Sequence, residues 1–330
     1  MAATTATALA GALRRAAVRA TRAPSVHNTQ PWHFVLTPGA LEIRADWTRQ
    51  LRVLDPRGRQ LLISCGCALF NARVALAAAG YATHVERFPD PAGQDLLARI
   101  VIGGSADRDT DDIGVLDPAI DVRQTNRRHF SEEVVPADVV AALVDAANRE
   151  GSDVVSIVRP EDRLAAARLS QWADDIENAD PAYRAELRAW TSDDPGRTDG
   201  VPAFAVPHVD GDAQDDLPIR DFDMRGTGSL PTRTRSSLNQ CLLLLGARED
   251  DRMAWLRSGE ALERMLLEVA ARGYTASPLT QVIEVARTNE LLRHELRLTM
   301  HPHVLIRIGR ASATPLTRRR RLVDVITEAA

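Results

Sequence analysis

The chain has 330 residues, of which 45% are apolar, so it can bury a large core in one big domain or two smaller ones. Its 41 basic residues are all arginines and nearly balance 45 acidic residues; a net charge of -4 excludes an overall attraction to nucleic acid or an anionic membrane. The absence of lysine excludes Schiff-base chemistry and a P-loop lysine, and leaves arginine to bind any phosphate.

The first predicted elements are a helix over about 5–20 and strands near 33–37 and 41–45. The N-terminal stretch lacks the compact apolar segment of a secretion signal, so we interpret it as the first helix of the fold. The apolar run at 242–245 is far too short to span a bilayer. Three dispersed cysteines do not form a disulfide framework, which favours a reducing cytoplasm.

A helix signature of matched length occurs twice. Gly66 and Gly80 bound an Ala-rich apolar run in the first half, and Gly259 and Gly273 bound another in the second half. Both separations are 14 residues, 80 minus 66 and 273 minus 259, and the later glycine precedes a tyrosine in each copy. The pattern predicts a long helix whose first glycine allows close packing and whose last glycine caps it.

A strand closed by glycine is predicted after each of these helices, at 97–104 and near 304–309. We therefore predict two diverged half-copies, at 1–120 and 121–330, that form one pseudo-symmetric protein. Coincidence between two Ala-rich helices is the alternative.

The remaining sequence adds more helices than strands. Isolated strands alternate with these helices, which predicts an α+β fold in which small sheets are flanked by helices. The chain is rich in Asp, Gly, Pro and Thr between about 191 and 231, which is typical of a lid insertion or of a segment without fixed structure. Further helices are predicted at about 136–149, 161–190, 231–247 and 280–297, and a further strand near 154–158.

A polar loop with the sequence Ala-Pro-Ser-Val-His-Asn-Thr-Gln-Pro-Trp occupies 23–32, between the first helix and the first strand. It resembles the A-P-S-x-x-N-x-Q-P-W segment of the nitroreductase family, in which the Ser and Asn contact the ring and ribityl chain of FMN. A capped loop around a core Trp32 is the alternative. For His27, ring stacking and simple loop packing both remain open. The residues implied to bind FMN are Pro24, Ser25, His27, Asn28 and Gln30.

Two later segments resemble the family's phosphate-binding segments. Residues 123–130 are similar to its R-R-S-x-R-x-F opening, although Gln124 replaces the second Arg, and residues 315–322 are similar to its C-terminal basic segment. A solvated face is the alternative for either arginine run. The residues implied to bind FMN here are Arg123, Thr125, Arg127, Arg319 and Arg321.

The segment 277–281 follows the second Gly-Tyr pair and resembles the family's loop near flavin N5. The resemblance implies that Ser277 and Leu279 bind the cofactor and that a backbone N–H of Thr280 or Gln281 lies near N5. Thr280-Gln281 stands where many reductases have Glu-Gly. No catalytic side chain is implied, because chemistry at flavin N5 requires neither a side-chain nucleophile nor a general base. No metal site is predicted, because nothing pairs the Cys-x-Cys and His-x-His spacings.

The order of these segments is similar to the single-chain Acg branch of the family, which has a flavin-covering lid. In homodimeric members the loop and the phosphate segments come from different subunits, whereas this one chain contains all of them. The resemblance therefore implies one composite FMN site per chain in a monomer or weak dimer.

That resemblance implies an FMN-dependent oxidoreductase, which transfers hydride from NAD(P)H through flavin N5 to a nitroaromatic or quinone-type acceptor. The alternative is a protein that sequesters FMN beneath the lid with little or no turnover.

Overall fold

The computed structural model describes residues 2–103, 113–192, 194, 196–206, 220, 222 and 240–329. Within these ranges helices alternate with short strands in two separate sheets, so the predicted α+β class is confirmed. Of the predicted lid at 191–231, the parts at 193, 195, 207–219, 221 and 223–231 lie outside the described residues.

The first sheet has the strand order β3-β4-β2-β1-β9, and all its neighbours are antiparallel except β1 and β9. Alternate residues of β1 are buried, so Trp32 and Phe34 reach the core while the residues between them are half-buried. The elements before 113 are α1 (Ala2–Ala20), β1 (Trp32–Thr37), β2 (Ala40–Ala45), α2 (Arg59–Ala78), β3 (Thr83–Arg87) and β4 (Leu96–Ile102).

The second sheet has the order β5-β6-β8-β7 and is antiparallel. This order matches β1-β2-β4-β3 of the first sheet, strand for strand. The later elements are α3 (Asp117–Val122), α4 (Ala137–Arg149), β5 (Asp153–Ser156), α5 (Pro160–Ala179), α6 (Pro181–Ala189), β6 (Cys241–Ala247), α7 (Arg252–Ala271), β7 (Thr275–Leu279), α8 (Gln281–Glu284), α9 (Ala286–Glu295), β8 (His301–Gly309), α10 (Leu322–Val325) and β9 (Ile326–Glu328).

The prediction of a helix at 231–247 is wrong over 241–247, where β6 lies; residues 231–239 are outside the described part of the chain. This strand is central in its sheet, with Leu243 opposite Ser156 on one side and Ile306 on the other. A strand buried on both faces has a continuous apolar sequence, which does not distinguish it from a buried helix.

Two predicted helices are each divided in the structure. The helix predicted at 161–190 ends at Ala179, and α6 begins at Pro181 after an N-cap at Asp180, whose side chain accepts a hydrogen bond from Ala182 N. The helix predicted at 280–297 is divided at Val285, where the backbone is extended between α8 and α9.

Helices α2 and α7 cross in direct backbone contact at the two matched glycines. A Cβ atom at Gly66 would lie 2.1 Å from the carbonyl oxygen of Leu256, and one at Gly259 would lie 2.1 Å from that of Ile63. Each carbonyl belongs to the residue three positions before the partner glycine, so the contact is reciprocal. The close packing predicted at these glycines is therefore present.

Helix α2 is also the one described helix long and apolar enough to cross a membrane by length and composition alone. However, 89% of its apolar window is buried inside the protein. Its apolarity is explained by its position in the core, between α1 and α7 and against the first sheet.

The C-terminal tail crosses from the second sheet to the first. After β8 ends at Gly309 the chain runs without regular structure to α10, and β9 then pairs in parallel with β1, placing Ile326 opposite Phe34. Ala329 N donates to Leu36 O at 2.8 Å. This crossing carries the late arginines to the loop between α1 and β1.

Candidate functional site

Two adjoining cavities open where the end of α1, the start of α2, the end of β7 and the C-terminal tail meet. They enclose about 710 and about 770 Å³, counting space open to solvent. Because they share Pro24, Ser25, Thr125 and Arg127, they are neighbouring parts of one cleft. The first, here called the basic cavity, includes Arg22, Asn28, Arg123, Thr317 and Arg319 in its lining. The second, called the apolar cavity, includes Ile63, Cys67, Phe222, Leu262, Leu279 and Val304.

The loop between α1 and β1 has a tight, unusual backbone. His27, Asn28 and Gln30 have positive φ angles of 47°, 54° and 50°. Non-glycine residues adopt this left-handed region rarely, and the surrounding contacts must hold them there. The Ser25 hydroxyl contributes by accepting a hydrogen bond from Gln30 N at 2.9 Å. Ser64 of α2 accepts another from Val26 N at 3.1 Å, which fixes the loop to the core.

The late arginines contact this early loop directly. Arg319 Nη1 donates to the Asn28 side-chain oxygen at 3.1 Å, and Arg320 N donates to the Gln30 side-chain oxygen at 2.8 Å. Arg320 Nη1 also donates to Gln30 O at 3.1 Å. The structure therefore joins the two segments that the sequence separates by almost the whole chain.

Most donors of Arg319 are used by the protein itself. Its guanidinium donates to the carbonyl oxygens of Thr21, Arg22 and Ala23, at 3.0, 3.2 and 3.2 Å, at the C-terminal end of α1. A cation at this end of a helix is favourable because the free carbonyls carry partial negative charge. Burial and then Arg123 and Arg22 lower the pKa of Arg319 to about 9. Arg319 therefore lies close to two other cations, a grouping that favours a bound anion.

Arg123 and the residues after it lie along the edge of the second sheet. Thr125 forms a parallel bridge with Ala276 of β7, and Asn126 N donates to Ala276 O at 2.9 Å. This pairing explains why Thr125 and Arg127 line both cavities. Arg123 Nη2 donates to Arg22 O at 3.0 Å. Burial and Arg220 lower the pKa of Arg127 to about 10.

His27 lies at the apolar cavity as a neutral ring. Burial lowers its pKa well below the usual range, and the charges of Arg220 and Arg127 lower it further. Among the described residues, neither of its ring nitrogens has a hydrogen-bond partner. Its ring contacts the edge of Phe222, with centroids 5.2 Å apart and planes at 81°. The ring therefore lines the apolar cavity with two buried nitrogens that have no partner in the described part of the chain.

The cleft brings together most of the predicted site residues, and their binding roles remain predictions. Gln30 is buried beside the cleft without lining it, and fixes the loop to the tail. Twelve of the fourteen predicted residues line the cleft: Pro24, Ser25, His27, Asn28, Arg123, Thr125, Arg127, Ser277, Leu279, Thr280, Gln281 and Arg319.

Arg321 is not placed as predicted. Its side chain is 74% exposed and its Nε lies 3.0 Å from Asp324 Oδ2, outside both cavities. Arg321 immediately precedes α10, and its side chain follows that short helix to the carboxylate three residues later. Arg22, which the sequence did not suggest, lines the basic cavity instead.

Other cleft residues were also missed from sequence. Gln60 and Ser64 lie within the two turns of α2 that precede Gly66. The repeated helix signature that begins at Gly66 could therefore have pointed to them. Arg220 and Phe222 belong to the polar insertion, where no local pattern distinguishes them. Within the described ranges, no group of three or more His, Cys, Asp or Glu side chains is arranged to hold a metal ion.

The chain is 36% identical over 312 residues to the "Putative NAD(P)H nitroreductase Rv3131" of Mycobacterium tuberculosis (strain ATCC 25618 / H37Rv), covering 93% of this chain and 88% of that protein. It is 30% identical over 318 residues to the "Putative NAD(P)H nitroreductase acg" of the same strain, covering 95% and 94%. No protein-family model matches the chain. The solved structure of a "putative nitroreductase" from Anabaena variabilis ATCC 29413 aligns with a TM-score of 0.49 and 11% identity, over 88% of this chain and 82% of that one.

The two mycobacterial relatives match along nearly the whole chain, so the family resemblance seen in the four sequence segments is confirmed. The chain belongs to the nitroreductase-like family, in the branch that includes Acg.

Proposed function

We propose that this protein binds FMN across the two cavities and works as an FMN oxidoreductase with NAD(P)H as electron donor. The observation that carries the proposal is one cleft with a cationic part and an apolar part. FMN has the same division, because its phosphate and its flat ring lie at opposite ends of the ribityl chain. Bound FMN would supply hydride chemistry, and the names of the mycobacterial relatives support NAD(P)H as donor.

The basic cavity would hold the phosphate through Arg22, Arg123 and the Thr125 hydroxyl. Arg123 is buried, so its hydrogen bonds to an anion are shielded from water and correspondingly strong. Arg319 would act mainly through its charge, since its donors already bind α1, Asn28 and Thr317.

The apolar cavity would hold the ring. Leu262 and Ile63 come from the two crossing helices, and the end of β7 supplies Leu279. Thr280 and Gln281 line the same cavity, consistent with a backbone N–H directed at the ring edge near N5. The Gln281 side chain donates to Asp174 at 2.6 Å, which fixes this corner.

We also infer that the chain is a fusion of two half-copies, at 1–120 and 121–330. The matching strand order of the two sheets and the reciprocal contact of Gly66 and Gly259 support this inference. One chain then contributes both the loop and the phosphate arginines, so a monomer or weak dimer in the cytoplasm would be sufficient for function.

Purification tests the proposal directly. We expect a yellow protein that releases FMN on denaturation, identified by mass spectrometry, and that bleaches when NADPH or NADH is added without oxygen. Reoxidation by a nitroaromatic or a quinone would identify the acceptor class. A colourless protein that stays colourless after incubation with excess FMN would refute the proposal.

A second candidate function is FMN sequestration, because the described part of the insertion contributes Val201, Ala205, Arg220 and Phe222 to the lining of the cleft. Asn28 Nδ2 donates to Gly200 O at 3.0 Å, and Gln30 Nε2 donates to Thr198 O at 2.9 Å. Phe222 lines the apolar cavity with Arg127 over its ring at 4.9 Å. A flavin-bound protein with little or no bleaching by either nucleotide would favour this function.

Arg220 holds the insertion at the apolar cavity. Its guanidinium binds the Tyr183 hydroxyl and the Glu284 carboxylate, and lies 3.7 Å from Glu177. We expect Arg220→Ala to loosen this part of the insertion and to speed both FMN release and bleaching by NADPH by about tenfold or more, because the change removes the bonds to Tyr183 and Glu284. Stopped-flow absorbance measures both rates. Arg168→Ala, which removes an exposed pair with Glu295, is the control and should change neither rate.

A further inference from the structure

A buried carboxyl group lies behind the arginines of the basic cavity. Glu263 of α7 is fully buried, and neither of its oxygens has a hydrogen-bond partner in the described residues. Its Oε1 is 3.5 Å from Arg123 Nε, beyond hydrogen-bond geometry. A carboxylate in such a place is unfavourable unless nearby cations compensate it.

The groups that face Glu263 come from three parts of the chain. Arg123, beyond α3, and Arg319, on the tail, are the cations. Cys67 of α2 is a neutral thiol, since burial raises its pKa well above the usual range. The Asn71 amide of α2 is close enough to lower the pKa of Glu263, although outside hydrogen-bond geometry.

Burial raises the pKa of Glu263 to about 7, against the opposing effects of Arg123, Asn71 and Arg319. Both charge states are therefore populated near neutral pH. Arg123 and Arg319 also line the basic cavity, so Glu263 and a bound anion share the same cations.

We propose that Glu263 takes up a proton from solvent when the phosphate of a flavin binds in the basic cavity. This inference rests on the proposed function. An anion near a carboxyl group disfavours its ionised form, whatever cations stand between them. The protonated acid leaves the charge of Arg123 and Arg319 to the phosphate. Glu263 is thus a positioning residue whose charge sets how strongly the arginines hold FMN.

FMN affinity should decrease as the pH rises. Above pH of about 7 the free protein has an ionised Glu263, so binding requires proton uptake and FMN affinity falls by up to about tenfold per pH unit. The flavin phosphate contributes no proton in this range, because its second pKa is about 6. His27 lines the apolar cavity, where the flavin ring would lie, and not the basic cavity. Any proton uptake by His27 would therefore also accompany the binding of riboflavin, which lacks the phosphate.

Titration calorimetry of the apoprotein with FMN, at pH 8 in two buffers of different ionisation enthalpy, measures the uptake. We expect about one proton in the wild type and only the small fraction due to Arg319 in Glu263→Gln, which binds FMN up to about tenfold more tightly at this pH. Glu268→Gln, on the same helix and paired with Arg272, should behave as the wild type. Riboflavin should bind without uptake.

Wild-type FMN binding without proton uptake at pH 8, or undiminished uptake by a folded Glu263→Gln protein, would overturn this inference and leave the proposed function standing. Failure of FMN to bind would instead refute the proposed function. If the Glu263→Gln variant does not fold, infrared difference spectra of the wild-type protein with and without each flavin test the inference instead. A protonated-carboxyl band that appears with FMN and not with riboflavin supports the inference, and its absence overturns it.

Discussion

Arg123→Ala is expected to weaken FMN binding by about tenfold to a hundredfold, the loss of one or two charge-assisted hydrogen bonds to the phosphate. The buried guanidinium lies in the basic cavity, held there by its bond to Arg22 O. Fluorescence titration of the apoprotein measures the change. Affinity for riboflavin, which lacks the phosphate, should hardly alter.

The matched control for this change is Arg321→Ala. This change also removes one positive charge, but the Arg321 side chain is 74% exposed and paired with Asp324 outside the cleft. FMN affinity should stay within about twofold of the wild type, since exposed ion pairs contribute little. Equal losses in Arg123→Ala and Arg321→Ala would mean that net charge, rather than the basic cavity, attracts the flavin.

Gly259→Ala is expected to lower the free energy of unfolding by about 3 kcal/mol or more and to release the flavin. The new methyl group would overlap the carbonyl oxygen of Ile63 and the Cα of Gly66, and neither backbone can move without shifting a helix. Because α2 and α7 also supply Cys67 and Leu262 to the apolar cavity, a shift of either helix changes the shape of this cavity. Urea denaturation and the retained flavin per chain measure the two effects.

Gly11→Ala provides the comparison within a helix. Gly11 lies on an exposed part of α1, and a Cβ there meets nothing within 4 Å. The exchange should stabilise the protein by about 0.5 to 1 kcal/mol, because alanine restricts the unfolded chain. If Gly259→Ala unfolded at the same urea concentration as Gly11→Ala, the direct backbone contact between α2 and α7 would be contradicted.

Local chemistry made part of the cleft predictable. The loop at 23–32 combines turn formers, short polar side chains and an anchoring Trp32, all within ten residues. The segments 123–130 and 277–281 are also short local motifs that can be identified in the sequence. The structure places Thr125 and the end of β7 together in the cleft.

Features that depend on distant contacts could not be predicted. Four consecutive arginines, at 318–321, do not indicate which side chain faces inward; the pairing of β9 with β1 decides that, and this strand has only three residues. The isolated apolar run of β6 is explained by its two neighbouring strands. Glu263 has a helix-forming sequence around it, and only the packing of α3 and the tail reveals its surroundings.

We propose that the early loop and the late arginines of one chain build a single phosphate-selective flavin site. Titration of the apoprotein with FMN and with riboflavin, followed by flavin fluorescence, tests it most directly. We expect saturation at one FMN per chain and binding at least about a hundredfold weaker for riboflavin, because riboflavin lacks two charge-assisted hydrogen bonds to the phosphate. Equal affinities for the two flavins, or saturation at two FMN per chain, would contradict it.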